Sequence, residues 1–432
     1  FYTRTINDPE IAAKVTARTS SLDFGYLFAR DDHTIIILPF EESDHYIQTG
    51  KSTSNILRAR RNLRDGSHFG LIATDRRLDD GGSGSIISHD GLIRFTPSLN
   101  LSYQAVLSHT QEPDDYPYSD GYYKFWKDHT AAFDGESFWG HGGTGVLRYN
   151  TRNLNATINY WEVSPTYRAD NGFDPKNNRR DFTFHSGYMF RPKSDLFEII
   201  NPQISAARVW NFNDRIKRSR VALSTWTRLK FAQASAYFEF VKASEEFSDV
   251  QFDNIWTYLL NCDFRIGDLM AFSGYVNYGH TIARNHVLRD KTLYTGFSTD
   301  FKPLDRILLE QEVDYARSNS LDDPVGARLY NQLVYRTRLG YQITRQLSLR
   351  LVVQYQDRFE NYTMLGGGAY GSDTWTVDPL LTYRINPFSI FYMGTSYNYF
   401  DLPETDEYGH ENMSYRLTNR QFFMKLQYMF QM

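Results

Sequence analysis

Glu310, Glu312 and Asp314 recur at every second position, and further along the chain Arg336 and Arg338 do the same. A spacing of two places side chains on one face of a β-strand, so each run is a ladder of like charge. Arg350 and Arg358 add a second basic set on the next alternating segment; Arg218, Arg220, Arg228 and Lys230 form another, earlier in the chain. Opposite charges facing each other across neighbouring strands contribute about 0.2–1 kcal/mol per exposed pair. Two uses follow for such a wall: it orients a polar solute, or it lines and stiffens a wet interior by ion pairing. Because both signs are present, strong ion selectivity is not expected.

Other constellations carry less. Residues 111–142 read QEPDDYPYSDGYYKFWKDHTAAFDGESFWGHG. Three readings of this aromatic-rich loop stand open: a platform on which sugar faces stack, a plug folded inward, or a docking surface for another envelope protein. Asp114, Asp115, Asp120 and Asp134 offer carboxylates, but their spacing matches no known calcium loop. His141, near Asp134 and Glu136, reads as a solvated loop histidine. HExxH and GxSxG are absent, and GGGAYG at 366–371 lacks the strand-to-helix setting of a phosphate loop. No catalytic residue, metal or cofactor is therefore expected. A hydrolase would need a Ser/His/acid set close in space rather than in sequence.

The elements that must hold these ladders are strands. Leu347, Leu349, Leu351, Val353, Tyr355 and Phe359 alternate with Ser348, Arg350, Gln354, Gln356 and Arg358. Leu329 to Ile343 repeats the pattern, and only Thr344, Arg345 and Gln346 separate the two, as in a tight hairpin. Further alternating segments run over Phe252 to Ile266, Val221 to Phe231, Ile307 to Tyr315, Trp375 to Ile385 and Phe391 to Tyr399. From Ile11 onward the pattern gives 21 strands. Short turns are expected near Ser20, Asp65, Pro97, Asn153, Lys193, Ala232, Gly267, Pro303, Arg345 and Pro387. Long polar loops are expected at 32–52, 111–142, 165–178, 281–290, 318–326, 360–373 and 401–413.

Composition narrows the class. The 432 residues are 41% hydrophobic with mean hydropathy -0.53, and the longest apolar run is Thr34 to Phe40. A membrane helix needs about 20 apolar residues, so helical spans are excluded. Aromatics reach 16%, with 31 Tyr and 31 Phe, a density suited to rings at a water–apolar boundary. A net charge of -4 argues against nucleic acid, and the single Cys262 excludes an internal disulfide. Alternation alone also permits a soluble sandwich. Long strands, alternating loop lengths and aromatic strand ends favour an all-β transmembrane, antiparallel up-and-down barrel of about 20–22 strands, with short periplasmic turns and long extracellular loops.

The last strand carries Phe422, Met424, Leu426, Tyr428 and Phe430 on one face, and Lys425 and Gln427 on the other. The apolar set is expected to meet lipid. A terminal aromatic there resembles the signal by which outer-membrane barrels are recognised for insertion, although Gln431 and Met432 follow it. Single-chain bacterial barrels have an even strand count, so 21 strands predict a further strand ahead of Phe1. Residues 1–432 are then one barrel domain.

FYTRTI with AAKVTARTSSLDFGYLFA, NILRARRNLRDGSHFGLIATDRR at 55–77 and INYWEVSPTYRADNGFDPKNNRRDF at 158–182 resemble an uncharacterised family of Bacteroidota outer-membrane proteins. The resemblance covers roughly the first 190 residues. It implies a large C-terminal barrel behind a module similar to carbohydrate-binding domains, and brings no catalytic residues. The expectation is a bacterial outer-membrane pore or transport component for polar solutes, with glycan-derived ones among the candidates. Its partners would be the lipid bilayer, the barrel-assembly machinery during insertion and other envelope proteins through loop 111–142. The alternatives are a scaffold barrel with a plugged lumen and a barrel-embedded hydrolase.

Overall fold

Alternation of apolar and polar residues leaves each strand with two unlike faces, and pairing of consecutive strands is the way to satisfy their backbone groups. The computed structural model follows that logic throughout its described residues, 5–115, 124–323, 326–363, 367–405 and 411–429. The chain is all-β, with an antiparallel up-and-down sheet of 21 strands, and no helix among the described residues is long and apolar enough to cross a membrane. It divides into two compact units.

The first unit holds residues 1–188 and 204–221. It contains β1 (Pro9–Arg18), β2 (Leu22–Asp31), β3 (Thr34–Pro39), β4 (Asp44–Thr49), β5 (Ser52–Asn62), β6 (His68–Leu78), β7 (Ser83–Arg94) and β8 (Leu99–Gln111). It continues with the short β9 (Lys124–Trp126) and β10 (His129–Thr130), then β11 (Ser137–Asn150), β12 (Leu154–Val163) and β13 (Arg179–Tyr188). β1 pairs with β2, β2 with β5, and each main strand with the next through to β13. β14 (Phe197–Trp210) and β15 (Ile216–Leu229) carry residues of both units.

The second unit adds β16 (Ser235–Phe247), β17 (Val250–Ile266), β18 (Met270–Ala283), β19 (Leu288–Leu304) and β20 (Ile307–Ser320). β21 (Arg328–Gln342), β22 (Leu347–Asn361), β23 (Ala369–Asn386), β24 (Ser389–Thr405) and β25 (Glu411–Tyr428) complete it. From β16 to β24 each pairs antiparallel with its successor, with bulges in some pairs.

All ten short turns fall where the sequence places them, from 19–21 between β1 and β2 to 387–388 between β23 and β24. The opposite connections need correcting. Those at 32–51, 112–136 and 164–178 are long, but β18 and β19 are joined by residues 284–287 alone, and β20 and β21 by 321–327. The polar residues there continue strands of 14 to 17 residues, longer than the 9–11 that cross a bilayer. Segment 32–51 is not an open loop either: β3 and β4 form a hairpin. Its Ile36, Leu38 and Ile47 pack on Ala131 and Phe133, with Phe40 and Leu78 at the margin.

Candidate functional site

Register decides which side chains share a face, and in unit 2 it is continuous across ten strands. Ser235, Asp263, Ser273, Ser298, Glu312, Arg336, Gln354, Thr376, Asn398 and Asn419 are successive cross-strand partners. Every one is polar. One residue along, Ala236, Cys262, Gly274, Phe297, Val313, Tyr335, Tyr355, Trp375 and Tyr399 make the neighbouring row on the other face, with no charge among them. This second face is not covered by protein: Phe297 is 41% exposed, and Leu339, Tyr341 and Leu349 are exposed beside it. On β25 Phe422, Met424, Leu426 and Tyr428 are exposed in the same way, while Phe430 lies outside the described residues. A soluble sheet buries its apolar face and wets the polar one; this sheet leaves a continuous apolar surface bare.

The charged wall stands on the polar face. Glu310 and Glu312 lie opposite Arg338 and Arg336, and Glu310 Oε2 is 2.7 Å from Arg338 Nε. Asp300 and Ser298 flank the acids on β19, and Tyr275 donates to Asp314 at 2.9 Å. Glu312 and Arg336 face each other without an ion-pair contact and share a basin of about 270 Å³ with Glu310, Arg338 and Asp300. The arrangement presents hydrogen-bonding groups of both signs to anything passing over it.

Arg350 and Arg358 share this face but stand at other levels of it. On β22 the positions level with the wall are Val352, Gln354 and Gln356, while Arg350 lies opposite Gly340 and Arg358 opposite Gln332. Arg358 pairs with Glu360 instead. Arg218 and Arg220 belong to unit 1 and Arg228 and Lys230 to unit 2. Arg220 donates to Ser205 at 3.1 Å, and Arg228 stacks over Trp226 within 3.8 Å of Glu198. Lys230 is exposed.

Unit 1 treats the corresponding face differently. Ala29, Ser54, Arg76, Gly84, Thr110 and Phe138 form a cross-strand row that the β3–β4 hairpin and residues 131–133 and 164–178 accompany into burial. Arg76, 1% exposed, donates to Asp31 Oδ2 and the Thr5 carbonyl at 2.8 Å, the Asp170 carbonyl at 3.0 Å and Ser54 at 3.1 Å. Arg168 spans Asp170 Oδ1 at 2.7 Å and Glu112 Oε1 at 2.9 Å. Gly84 permits this docking, since a Cβ there would lie 2.1 Å from Asp170 Oδ2.

Two guanidinium groups thus meet three carboxylates. Asp170 accepts from Nε and Nη2 of Arg168, Glu112 Oε1 accepts from Nη1, and Glu112 Oε2 is left without a partner. Burial pushes Glu112 up to about 8, against the pull of Arg168 and with Glu136, Asp134 and Asp170 adding to the rise. Burial also lifts Asp174 to about 6. Glu112 lines a cavity of about 20 Å³, bounded by Leu38, Phe125, Phe138 and Tyr167, which has room for about one water.

The aromatic loop 111–142 is not an open platform in its described part. Phe133 and Phe138 are buried, Phe125 packs edge-on to Phe138 at 5.9 Å, and Trp139 is 67% exposed; Tyr116, Tyr118, Tyr122, Tyr123 and Asp120 lie outside the described residues. Glu136 bonds His129 at 2.7 Å rather than His141, which lies 4.0 Å from Glu162. Among the described residues the group with ligand spacing is Asp8, Asp32 and His33, and the Lys51 ammonium already sits 2.7 Å from Asp32. Ser137 Oγ lies 3.1 Å from His109 Nε2, without a carboxylate partner for that histidine among the described residues.

No family model matches the chain, and no curated protein matches it. Solved structures resemble it at a distance. A mutant of the ferric enterobactin receptor PfeA from Pseudomonas aeruginosa is 9% identical, with a TM-score of 0.46 over 94% of this chain and 72% of that one. The siderophore receptor PirA from the same organism is 9% identical, with a TM-score of 0.43 over 90% and 76%. The FrpB iron transporter (F5-1 variant) from Neisseria meningitidis is 9% identical, with a TM-score of 0.45 over 96% and 79%. Likeness this slight says nothing of what the present chain binds or moves.

Proposed function

We propose that the chain is an outer-membrane β-barrel of a Gram-negative bacterium that passes or takes up polar solutes, glycan-derived ones among them. One observation carries the reading: a polar row across ten strands backed by a bare apolar row one residue away. Only a surround that is apolar outside and wet inside suits both faces, which is the condition of a membrane barrel. The wall of Asp300, Glu310, Glu312, Arg336 and Arg338 then lines the aqueous path. The resemblance of the first 190 or so residues to a Bacteroidota family with a carbohydrate-binding-like module supports the glycan origin of the solute.

A scaffold barrel is the second reading, favoured by the buried hairpin and ion cluster of unit 1, which fill space a wide pore would leave open. Planar-bilayer recording of purified, folded protein separates the two. Steady currents whose reversal potential moves toward anion selectivity in a Glu310→Lys, Glu312→Lys variant support transport along this wall. Silence of folded protein, with and without release of residues 164–178 by Arg168→Met, refutes it and leaves the scaffold.

A further inference from the structure

Above the charged wall, strands β18 to β22 continue toward the connections at 284–287 and 321–327 and line a second, open cavity of about 340 Å³. Thr292, Ser318, Tyr330 and Glu360 are successive cross-strand partners on the same face as Glu312 and Arg336. Thr292 lies six residues from Ser298 along β19, about 20 Å at 3.3 Å per residue. The site is therefore reached before the wall by anything arriving from the loop end of unit 2.

Its lining combines rings, carboxylates and one guanidinium, that of Arg284, which is paired with Glu245. Tyr294, Tyr330, Tyr362 and His286 supply the flat faces, and Asp290 and Glu360 the acceptors. Tyr362 lies parallel to His286, with centroids 5.7 Å apart and 10° between planes. His286 Nε2 sits 2.9 Å from the Asn361 carbonyl; a carbonyl only accepts, so in the neutral ring Nε2 holds the hydrogen and Nδ1 stays an acceptor. Glu360 is already engaged by Arg358 and by the Tyr362 hydroxyl at 3.1 Å, which fixes the ring.

Asp290 is the unusual member. It is 4% exposed, and its two oxygens accept from Thr281 at 2.7 Å and Ser318 at 2.5 Å, hydroxyls rather than a cation. The neighbouring cations are committed elsewhere. Arg289 binds Asp322 at 2.9 Å, Lys291 lies over Tyr278, and Arg284 pairs with Glu245 against Phe247. Beside it the Thr292 hydroxyl, 1% exposed, has no partner. Buried polar groups are ordinarily satisfied, and an uncompensated carboxylate repels anions.

We propose that this cavity binds a neutral or amino-bearing sugar, and rejects anionic ones. Apolar C–H faces stack on the tyrosines while ring hydroxyls, or an ammonium, take the acceptors at Asp290, Glu360 and His286. The volume falls in the range of about 300–1,000 Å³ typical of small-molecule sites. The inference rests on the transport reading only for what the bound sugar is for; the binding itself is tested apart from it.

The test is calorimetric titration of the folded, detergent-solubilised protein with cellobiose, chitobiose, glucosamine and galacturonic acid. At least one of the first three is expected to bind and galacturonic acid to bind at least tenfold more weakly. Tyr294→Ala and Asp290→Asn should each weaken the sugar tenfold or more, and Lys302→Gln, near the opposite end of β19, should leave it within twofold. If Asp290→Asn unfolds the strand ends, Tyr294→Ala alone decides. No binding by any of the three, equal binding of the uronic acid, or indifference to Tyr294→Ala overturns the proposal. Ion conductance without sugar binding defeats this inference and spares the transport reading; Tyr294-dependent binding without conductance does the reverse.

Discussion

Phe297 and Ser298 are adjacent on β19 and point to opposite faces, so placing the same arginine at each measures what lies on either side of the sheet. Phe297 sits between Gly274 and Val313 and is 41% exposed; Ser298 sits between Ser273 and Glu312, two residues from Asp300. Phe297 is seven residues from the strand's end at Leu304. At about 3.3 Å per residue and a tilt near 40°, that is about 18 Å of height, inside an apolar band about 25 Å tall. An arginine facing lipid at such depth costs about 2–3 kcal/mol. At Ser298 it gains a cross-strand acid, worth about 0.2–1 kcal/mol. Phe297→Arg should therefore be less stable than Ser298→Arg by about 2–4 kcal/mol, with Phe297→Ala as the control for lost packing. The assay is reversible guanidinium unfolding in lipid vesicles, read by tryptophan fluorescence and by the electrophoretic shift of folded barrels. Equal losses at the two sites, or a greater loss at Ser298, would show that the faces have been assigned the wrong way round.

The ion cluster of unit 1 yields further outcomes. Arg76→Met strands Asp31 and the Thr5 and Asp170 carbonyls; breaking a buried pair costs about 3–5 kcal/mol, so residues 165–178 should become protease-sensitive while the strands stay folded. Folding raises Glu112 from 4.5 to about 8, so between these values the folded state holds a proton that the unfolded state has released. Stability of the capped loops should then fall as pH rises through that window, by up to about 1.4 kcal/mol per pH unit, and Glu112→Gln should flatten the profile. Hydrogen exchange of residues 165–178 at pH 5 and pH 8 reads this; an unchanged slope in the variant removes Glu112 as the cause. At the other end of the chain, Leu426→Asp should lower the yield of membrane-inserted protein far more than Lys425→Asp, its neighbour on the polar face, in a cell-envelope fractionation.

What could be read from sequence was whatever depends on a period of two. The strand count, the ten short turns and the placing of Glu310, Glu312, Arg336 and Arg338 on one face all follow from it, because a slip of one residue would turn every side chain over. The level of one strand against the next is not periodic, so the sequence does not show that Arg350 and Arg358, on the wall's face, lie opposite Gly340 and Gln332 rather than level with the acids. The polar strand ends failed for a related reason: Asp290 and Ser318 read as loop, yet beyond the bilayer a strand has no need of an apolar face, and these residues pair. The signal missed in unit 1 was in plain view. Thr34 to Phe40 is the longest apolar run in the chain, and an unbroken run marks a strand buried on both sides. In a chain whose other strands each keep one face wet, such a segment has to be enclosed by the protein's own loops. Arg76, Asp31, Arg168, Asp170 and Glu112 lie up to 139 positions apart in numbering. Only the enclosure of that hairpin explains why charges so scattered converge. Once β3 and β4 are buried, the groups around them lose water together and must answer one another, and Glu112, held by a single arginine contact, is the carboxylate that burial pushes up.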